Sequence, residues 1–369
     1  MEEEIDNERS KLHELGFQVG ILARGKRNSI TDVPDITVGH STIIAGEGEL
    51  KPGFGPIRTG VTIIKPHSGN VYRRKVRASS YVFNGYGKTI GLVQVEELGN
   101  IESFIGLTNT LNIPKVTEAL LSYHIEENPD IGIQTSTINI VVGECNDGYL
   151  NDIQGRHVQK IHVLEAIENA SADFDEGSVG AGTGMSALGF KGGIGSSSRI
   201  IKSEKTKYIL GTLVLSNFGR KKDLTILGKN YSEFFKEDEK EEKPKTDDGS
   251  IIIVIATNAP LNSRQLNRLA KRAPLGLAKT GSFGSHGSGD VIIIFSTENK
   301  IDHDNKDENL EMKTVNENSK IFRDLLRAVV ETTEEAVINS LLKATTIIGR
   351  NNNKKNAISI EKVKKILSG

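Results

Sequence analysis

The chain has one cysteine, Cys145, in 369 residues, which excludes an intrachain disulfide and any cysteine-rich zinc site. It has no run of 18 apolar residues, the length a helix needs to cross a bilayer. Its first residues, MEEEIDNERSKLHEL, are acidic and helix-like, not the basic patch and apolar stretch of a secretory leader. It lacks a charge imbalance too: charged residues make up 26% of the chain, yet the formal net charge is -1. Nothing global draws it to nucleic acid or an anionic membrane. The eight histidines are scattered, and His157 and His162 stand five apart, a spacing that shares a face in neither helix nor strand. These absences predict a cytoplasmic, soluble protein with no metal or cofactor, and leave acidic, neutral and basic small molecules open as substrates.

What is present is a series of short, β-branched apolar runs at 61–64 (VTII), 138–142 (INIVV), 208–215 (YILGTLVL), 251–256 (IIIVIA) and 291–295 (VIIIF). Each is too short for a helix and reads as a buried strand. Helical patterns lie between and after them. Residues 262–273 open with a capping-box-like N-S-R-Q, and 321–348 repeats apolar positions at Leu325, Leu326, Val329, Val330, Val337, Leu341 and Leu342. One apolar stripe on such a helix packs against a sheet. The alternation lacks the regular unit of a barrel or a repeat, so a mixed α/β fold of sheets covered by helices is expected.

Glycine is concentrated in one place: residues 176–199, EGSVGAGTGMSALGFKGGIGSSSR, hold eight in 24, against about 7% in average proteins. A phosphate cradle is the obvious functional reading. The Walker pattern fails because Lys191 stands between Phe190 and Gly192, and the dinucleotide fingerprint fails because Met185 follows Gly180 and Gly182 where Gly or Ala is needed.

A second glycine draws more attention. In 236–248, KEDEKEEKPKTDD, eleven of thirteen residues are charged, a composition that stays flexible. Gly249 and Ser250 then lead straight into the buried run IIIVIA. The plain reading of 236–248 is a linker. The sharper one is a self-cleavage site, in which a serine pinned at the head of a core strand attacks the carbonyl of the preceding glycine, with Gly249 permitting a strained turn. Cleavage would free an α-amino group, pKa about 7.7 to 8.0, beside the same hydroxyl, and so create the base that a serine nucleophile needs.

Several blocks together resemble the L-aminopeptidase/D-esterase family, which includes the β-peptidyl aminopeptidases: ITDVPDITVGH (30–40), LTNTLN (107–112), VVGECNDGYLND (141–152), VGAGTGMSALGFKGGIGSSSR (179–199), LSNFG (215–219), DGSIIIVIATNAPL (248–261) and SHGSGD (285–290). The resemblance implies one αββα sandwich of the self-processing N-terminal-nucleophile type over 1–369, cut into a long subunit 1–249 and a short subunit 250–369. It implies hydrolysis of short peptides, amides and esters that carry a free amine, and a homo-oligomer. Ser250 matches the nucleophile, Ser288 and Asp290 its supporting pair, and Asn217 the oxyanion donor. Glu144 matches the carboxylate that receives the substrate's ammonium group, and Asn146 stands where relatives often carry an aromatic residue. Lys88 occupies a position where an acid is expected.

Each assignment has a plain competitor in the residues themselves. Ser288 and Asp290 are common turn residues, Asn217 could start a turn, and Glu144 could pair with a nearby lysine. Cys145 beside it reads as a small core residue rather than a nucleophile. Two other functions stay open. One is an acyltransferase of related architecture, against which Ser250 argues because such enzymes typically use threonine. The other is a non-catalytic small-molecule binder with 236–248 an uncut linker.

Overall fold

A computed structural model describes residues 9–234 and 249–368; the charged stretch 236–248 lies outside them. Two sheets face each other. One runs in the order Thr37–Ala45, Ile57–Lys65, Ile105–Asn109, Val141–Cys145; the other in the order Asn100–Ile101, Arg74–Gly85, Ser288–Asp302, Gly249–Thr257, Lys207–Asn217, Gly193–Lys202. Strand Gly249–Thr257 shows why they stack. Its odd residues Ile251, Ile253 and Ile255 pack with the helices Ser263–Ala270, Ala273–Ala278 and Lys320–Leu342, while Ile252, Val254 and Ala256 pack toward the four-stranded sheet. Side chains alternate across a strand, so a strand covered on both faces reads as one continuous apolar run. Helices Ile113–Glu127 and Lys160–Glu168 cover the outer face of the four-stranded sheet. The order of layers is therefore α, β, β, α, as expected.

The expected strands are all present, the one at 138–142 displaced to Val141–Cys145. The helical pattern at 262–273 opens with the predicted capping box of Asn262 and Gln265. It is split, however, into Ser263–Ala270 and Ala273–Ala278, with Pro274 in the first turn of the second helix, where the missing N–H costs nothing. The last pattern ends at Leu342 rather than 348, and Ile347–Ile348 forms a short strand instead. The β-branched run Thr345, Thr346, Ile347, Ile348 disfavours a further turn of helix.

The long helix buries more than its apolar stripe. Glu331, Thr332, Thr333, Glu334 and Glu335 are all buried. Arg199, with no exposed surface, donates to Glu331 at 3.0 Å and contacts Glu335 at 2.7 Å. A charged group at such a position is tolerated because it is paired on both sides.

The glycine-rich run is explained by packing. At Gly195 a Cβ would stand 2.0 Å from the carbonyl oxygen of Ala336 and 2.5 Å from the amide nitrogen of Ser340. The helix therefore lies backbone to backbone on the strand Gly193–Lys202. Lys191 is fully buried and donates to the carbonyls of Gly182 and Gly192, each at 2.8 Å. Burial lowers its pKa to about 7.

Candidate active site

Gly249–Thr257 and Ser288–Asp302 pair in parallel, joined through the helices Ser263–Ala270 and Ala273–Ala278. Parallel strands start at the same end of a sheet, so Ser250 lies opposite Gly289 and Gly249 opposite Ser288. On the other side Lys207–Asn217 runs antiparallel and finishes with Asn217 opposite Ser250. Three of the residues singled out in the sequence thus meet at one sheet end, and Asp290 follows one position along.

Ser250 is buried, and its hydroxyl donates to the carbonyl oxygen of Gly249 at 2.6 Å. A Cβ at 249 would stand 2.8 Å from Cα of Phe218 and 3.2 Å from the carbonyl oxygen of Asn217. Close approach of the neighbouring strand therefore requires glycine here. The strained turn expected at Gly249 depends on residue 248, which lies outside the described residues.

By alternation Ser250 and Asn217 face the layer between the sheets, while Ser288 and Asp290 share the opposite face with Ile292 and Ile294. The Ser250 main-chain nitrogen lies between these two sets. The Ser288 hydroxyl donates to Asp290 Oδ1 at 2.5 Å, and Asp290 Oδ2 is buried without a hydrogen-bond partner among the described residues. Burial pushes the Asp290 carboxyl up to about 6, against which the Ser288 hydrogen bond acts. Ser288 closes a turn, its N–H donating to Ser285 at 3.0 Å, and also opens a strand. Asn84 holds that corner by donating to the carbonyls of Ser285 and Ser288, both at 2.7 Å. The sequence reading did not single out Asn84.

The Asn217 amide is fixed at both ends. Its Oδ1 accepts from the Ser186 N–H at 2.9 Å and its Nδ2 donates to the Asn146 carbonyl oxygen at 3.0 Å, which leaves one N–H to spare. Asn146 thus meets the site through its backbone; its side chain accepts from the Gly148 N–H at 2.9 Å in a local turn.

Glu144 is buried, and its Oε1 accepts from the Lys88 N–H at 2.9 Å while Oε2 accepts from the Thr110 hydroxyl. It makes no ion pair among the described residues: the local lysine contributes its backbone amide. The turn that holds Glu144 also packs on the strand Ser288–Asp302, beside that of Ser250. A Cβ at Gly87 would be 3.6 Å from Glu144 Oε1 and 3.7 Å from Cα of Gly289, and a Cβ at Gly289 would meet the Tyr86 carbonyl at 2.6 Å. Thr110 and Ser186 lie inside the sequence blocks LTNTLN and MSALG; nothing in local pattern marks them. Cys145 is fully buried, and burial raises its thiol pKa well above the usual range, the opposite of a thiolate nucleophile.

The layers and the sheet end define the class: an αββα sandwich of the N-terminal-nucleophile hydrolase type. The chain belongs to peptidase family S58, whose sequence profile matches residues 28–355. It is 38% identical over 355 residues to the beta-peptidyl aminopeptidase of Sphingosinicella xenopeptidilytica, covering 93% of this chain and 87% of that protein. Among solved structures it is similar to a protein of Pyrococcus horikoshii OT3, at 52% identity and a TM-score of 0.92, covering 97% of this chain and 99% of the other. It is also similar to the L-aminopeptidase D-Ala-esterase/amidase of Ochrobactrum anthropi, described as a variant of the Ntn hydrolase fold, at 33% identity and a TM-score of 0.87, covering 97% and 98%. The chain is accordingly a hydrolase of the serine-peptidase type.

Proposed function

We propose that the chain cuts itself between Gly249 and Ser250 and then releases N-terminal residues from short peptides, amides and esters that carry a free amine. The observation that supports this most is the Ser250 hydroxyl lying 2.6 Å from the oxygen of the carbonyl it must attack. In the cut, Ser250 Oγ bonds to the Gly249 carbonyl carbon, the peptide C–N bond breaks, and the hydroxyl proton passes in net to the departing nitrogen. Water then hydrolyses the resulting ester, leaving a carboxylate on Gly249 and freeing both the hydroxyl and the α-amino group of Ser250. That amine becomes the general base for the next attack, on a substrate carbonyl. Asp290 Oδ2, buried and without a hydrogen-bond partner among the described residues, is the acceptor for the new ammonium, and Ser288 orients it. The spare N–H of Asn217 faces the tetrahedral oxygen, a role worth roughly 100- to 1,000-fold in rate.

Glu144 supplies the selection for a free amine. A substrate ammonium makes a charge-assisted contact with it, and N-acylation removes that charge. A cytoplasmic location and a homo-oligomeric assembly belong to the same reading, the first supported by a single buried cysteine with no disulfide, the second by the family resemblance alone.

The test compares a free and an N-acetylated amino-acid p-nitroanilide with wild type and Glu144→Gln. Wild type should hydrolyse only the free amine, and the variant should lose about 2 to 5 kcal/mol of transition-state binding while still cutting itself, since that step needs no substrate ammonium. Equal hydrolysis of both compounds by wild type would reduce the reading to a general amidase or esterase.

A further inference from the structure

The turn at residues 85–88 that holds Glu144 carries a second charge, with no part in the chemistry described above. Lys88 gives its backbone N–H to Glu144 Oε1 at 2.9 Å, but its side chain is exposed and its ammonium lies 5.0 Å from the centroid of the exposed Tyr86 ring. No carboxylate lies within ion-pairing distance of that ammonium among the described residues. The turn is anchored from both sides: Tyr86 packs its carbonyl on Gly289, the register partner of Ser250, and Gly87 sits between Gly289 and Glu144. A cation–π contact holds a lysine at a fixed place without neutralising it. The turn therefore holds a buried carboxylate by its backbone and carries an exposed cation that has no carboxylate partner among the described residues.

We propose that Lys88 is a specificity determinant that receives a carboxylate of the substrate on the leaving-group side of the scissile bond. The substrate class it selects is a small zwitterion, with an ammonium for Glu144 and a carboxylate for Lys88. That carboxylate is the C-terminus of a dipeptide or an acidic side chain on the second residue. A plain amino-acid amide satisfies Glu144 and leaves Lys88 unmatched. It also brings a positive charge toward a lysine, with no negative charge to offset it. The inference rests on the reading of Glu144 as the amine anchor.

The experiment measures kcat and KM for four substrates that share one N-terminal residue: X-Ala with a free carboxylate, X-Ala-amide, X-Asp-amide and X-p-nitroanilide. Wild type should favour the free carboxylate over X-Ala-amide by up to about fivefold at low salt, as expected for an exposed charge pair. The gain should appear in KM and shrink at 0.5 M salt as screening shortens the reach of charges. Lys88→Ala should bring the ratio near one, Lys88→Glu should invert it, and Lys88→Arg should keep it. A similar preference for X-Asp-amide places the contact at the second side chain; its absence places it at the C-terminus. Equal turnover of free carboxylate and amide by wild type overturns the inference alone, as does a preference that Lys88→Ala retains. Equal turnover of X-p-nitroanilide and its N-acetylated form by processed wild type overturns the amine-anchor reading and this inference with it.

Discussion

Two glycine-marked regions of this molecule look alike in sequence and do different things. In the run 176–199, Gly195 is required because a helix backbone lies 2.0 Å from where its Cβ would be; at the seam, Gly249 is required because Phe218 lies 2.8 Å away. Both glycines answer backbone crowding, so glycine by itself separates packing from chemistry in neither place. The polar groups around them differ. Glu176, at the head of the glycine run, is buried with its pKa raised by burial, yet Lys11 and the Ser196 N–H, the latter at 2.8 Å, compensate it. Asp290 at the seam is buried with one oxygen uncompensated among the described residues. A fold satisfies its buried polar atoms almost everywhere; an atom left wanting beside a hydroxyl already on a carbonyl is what supports the proposed cleavage at the seam.

The strongest way to break the comparison is to remove that hydroxyl. Ser250→Ala should leave the fold intact and the chain whole, whereas wild type should give fragments 1–249 and 250–369 by mass spectrometry, and hydrolysis should vanish. If purified Ser250→Ala still divides at this bond with proteases excluded, Ser250 is not the agent of the cut. Gly195→Ala in the uncut Ser250→Ala background should act in the opposite sense, weakening the fold by about 3 kcal/mol, the upper part of the usual cost of overpacking, because both clashing atoms are backbone. Thermal unfolding reads this. A melting point within a degree of the parent would show that the helix shifts freely off the strand, and the packing account of the glycine run would fall.

How far the sequence reveals all this depends on the reach of each interaction. Strands 251–256 and 291–295 were legible because burial on both faces leaves an unbroken apolar run. Strand Arg74–Gly85, RKVRASSYVFNG, was not: it mixes polar and apolar residues and gains its place through its neighbour Ser288–Asp302. The long helix was legible by its apolar stripe, but not the burial of Glu331 and Glu335, which only Arg199, more than a hundred residues earlier, makes tolerable. At the site, Ser250 stood out because a highly charged sequence meets an unbroken apolar run there. The parallel register that sets Ser288 and Asp290 beside it is a tertiary fact, and the Asn84, Thr110 and Ser186 contacts are single hydrogen bonds between distant segments with no local signature.

The smallest effect expected is a pH dependence that distinguishes the two buried carboxylates. In the uncut Ser250→Ala chain Asp290 Oδ2 has no donor among the described residues, and burial holds the carboxyl near 6 where an unfolded chain has it near 3.9. The folded state then binds this proton more tightly than the unfolded one. Its contribution to stability is fully present below about pH 4 and is lost as pH rises through about 6, a change on the order of 2 kcal/mol. Ser250→Ala/Asp290→Asn lacks that proton, so its melting point should rise relative to Ser250→Ala across this window and run parallel to it above. The processed wild type supplies an ammonium beside the carboxylate, which favours the ionised form, and should show less of the loss. Parallel melting curves for the single and double variants from pH 4 to 7 would mean that Asp290 is already compensated in the uncut chain. The seam would then resemble Glu176 and its glycine run, and Asp290 would lose its standing as the acceptor that waits for the new amine.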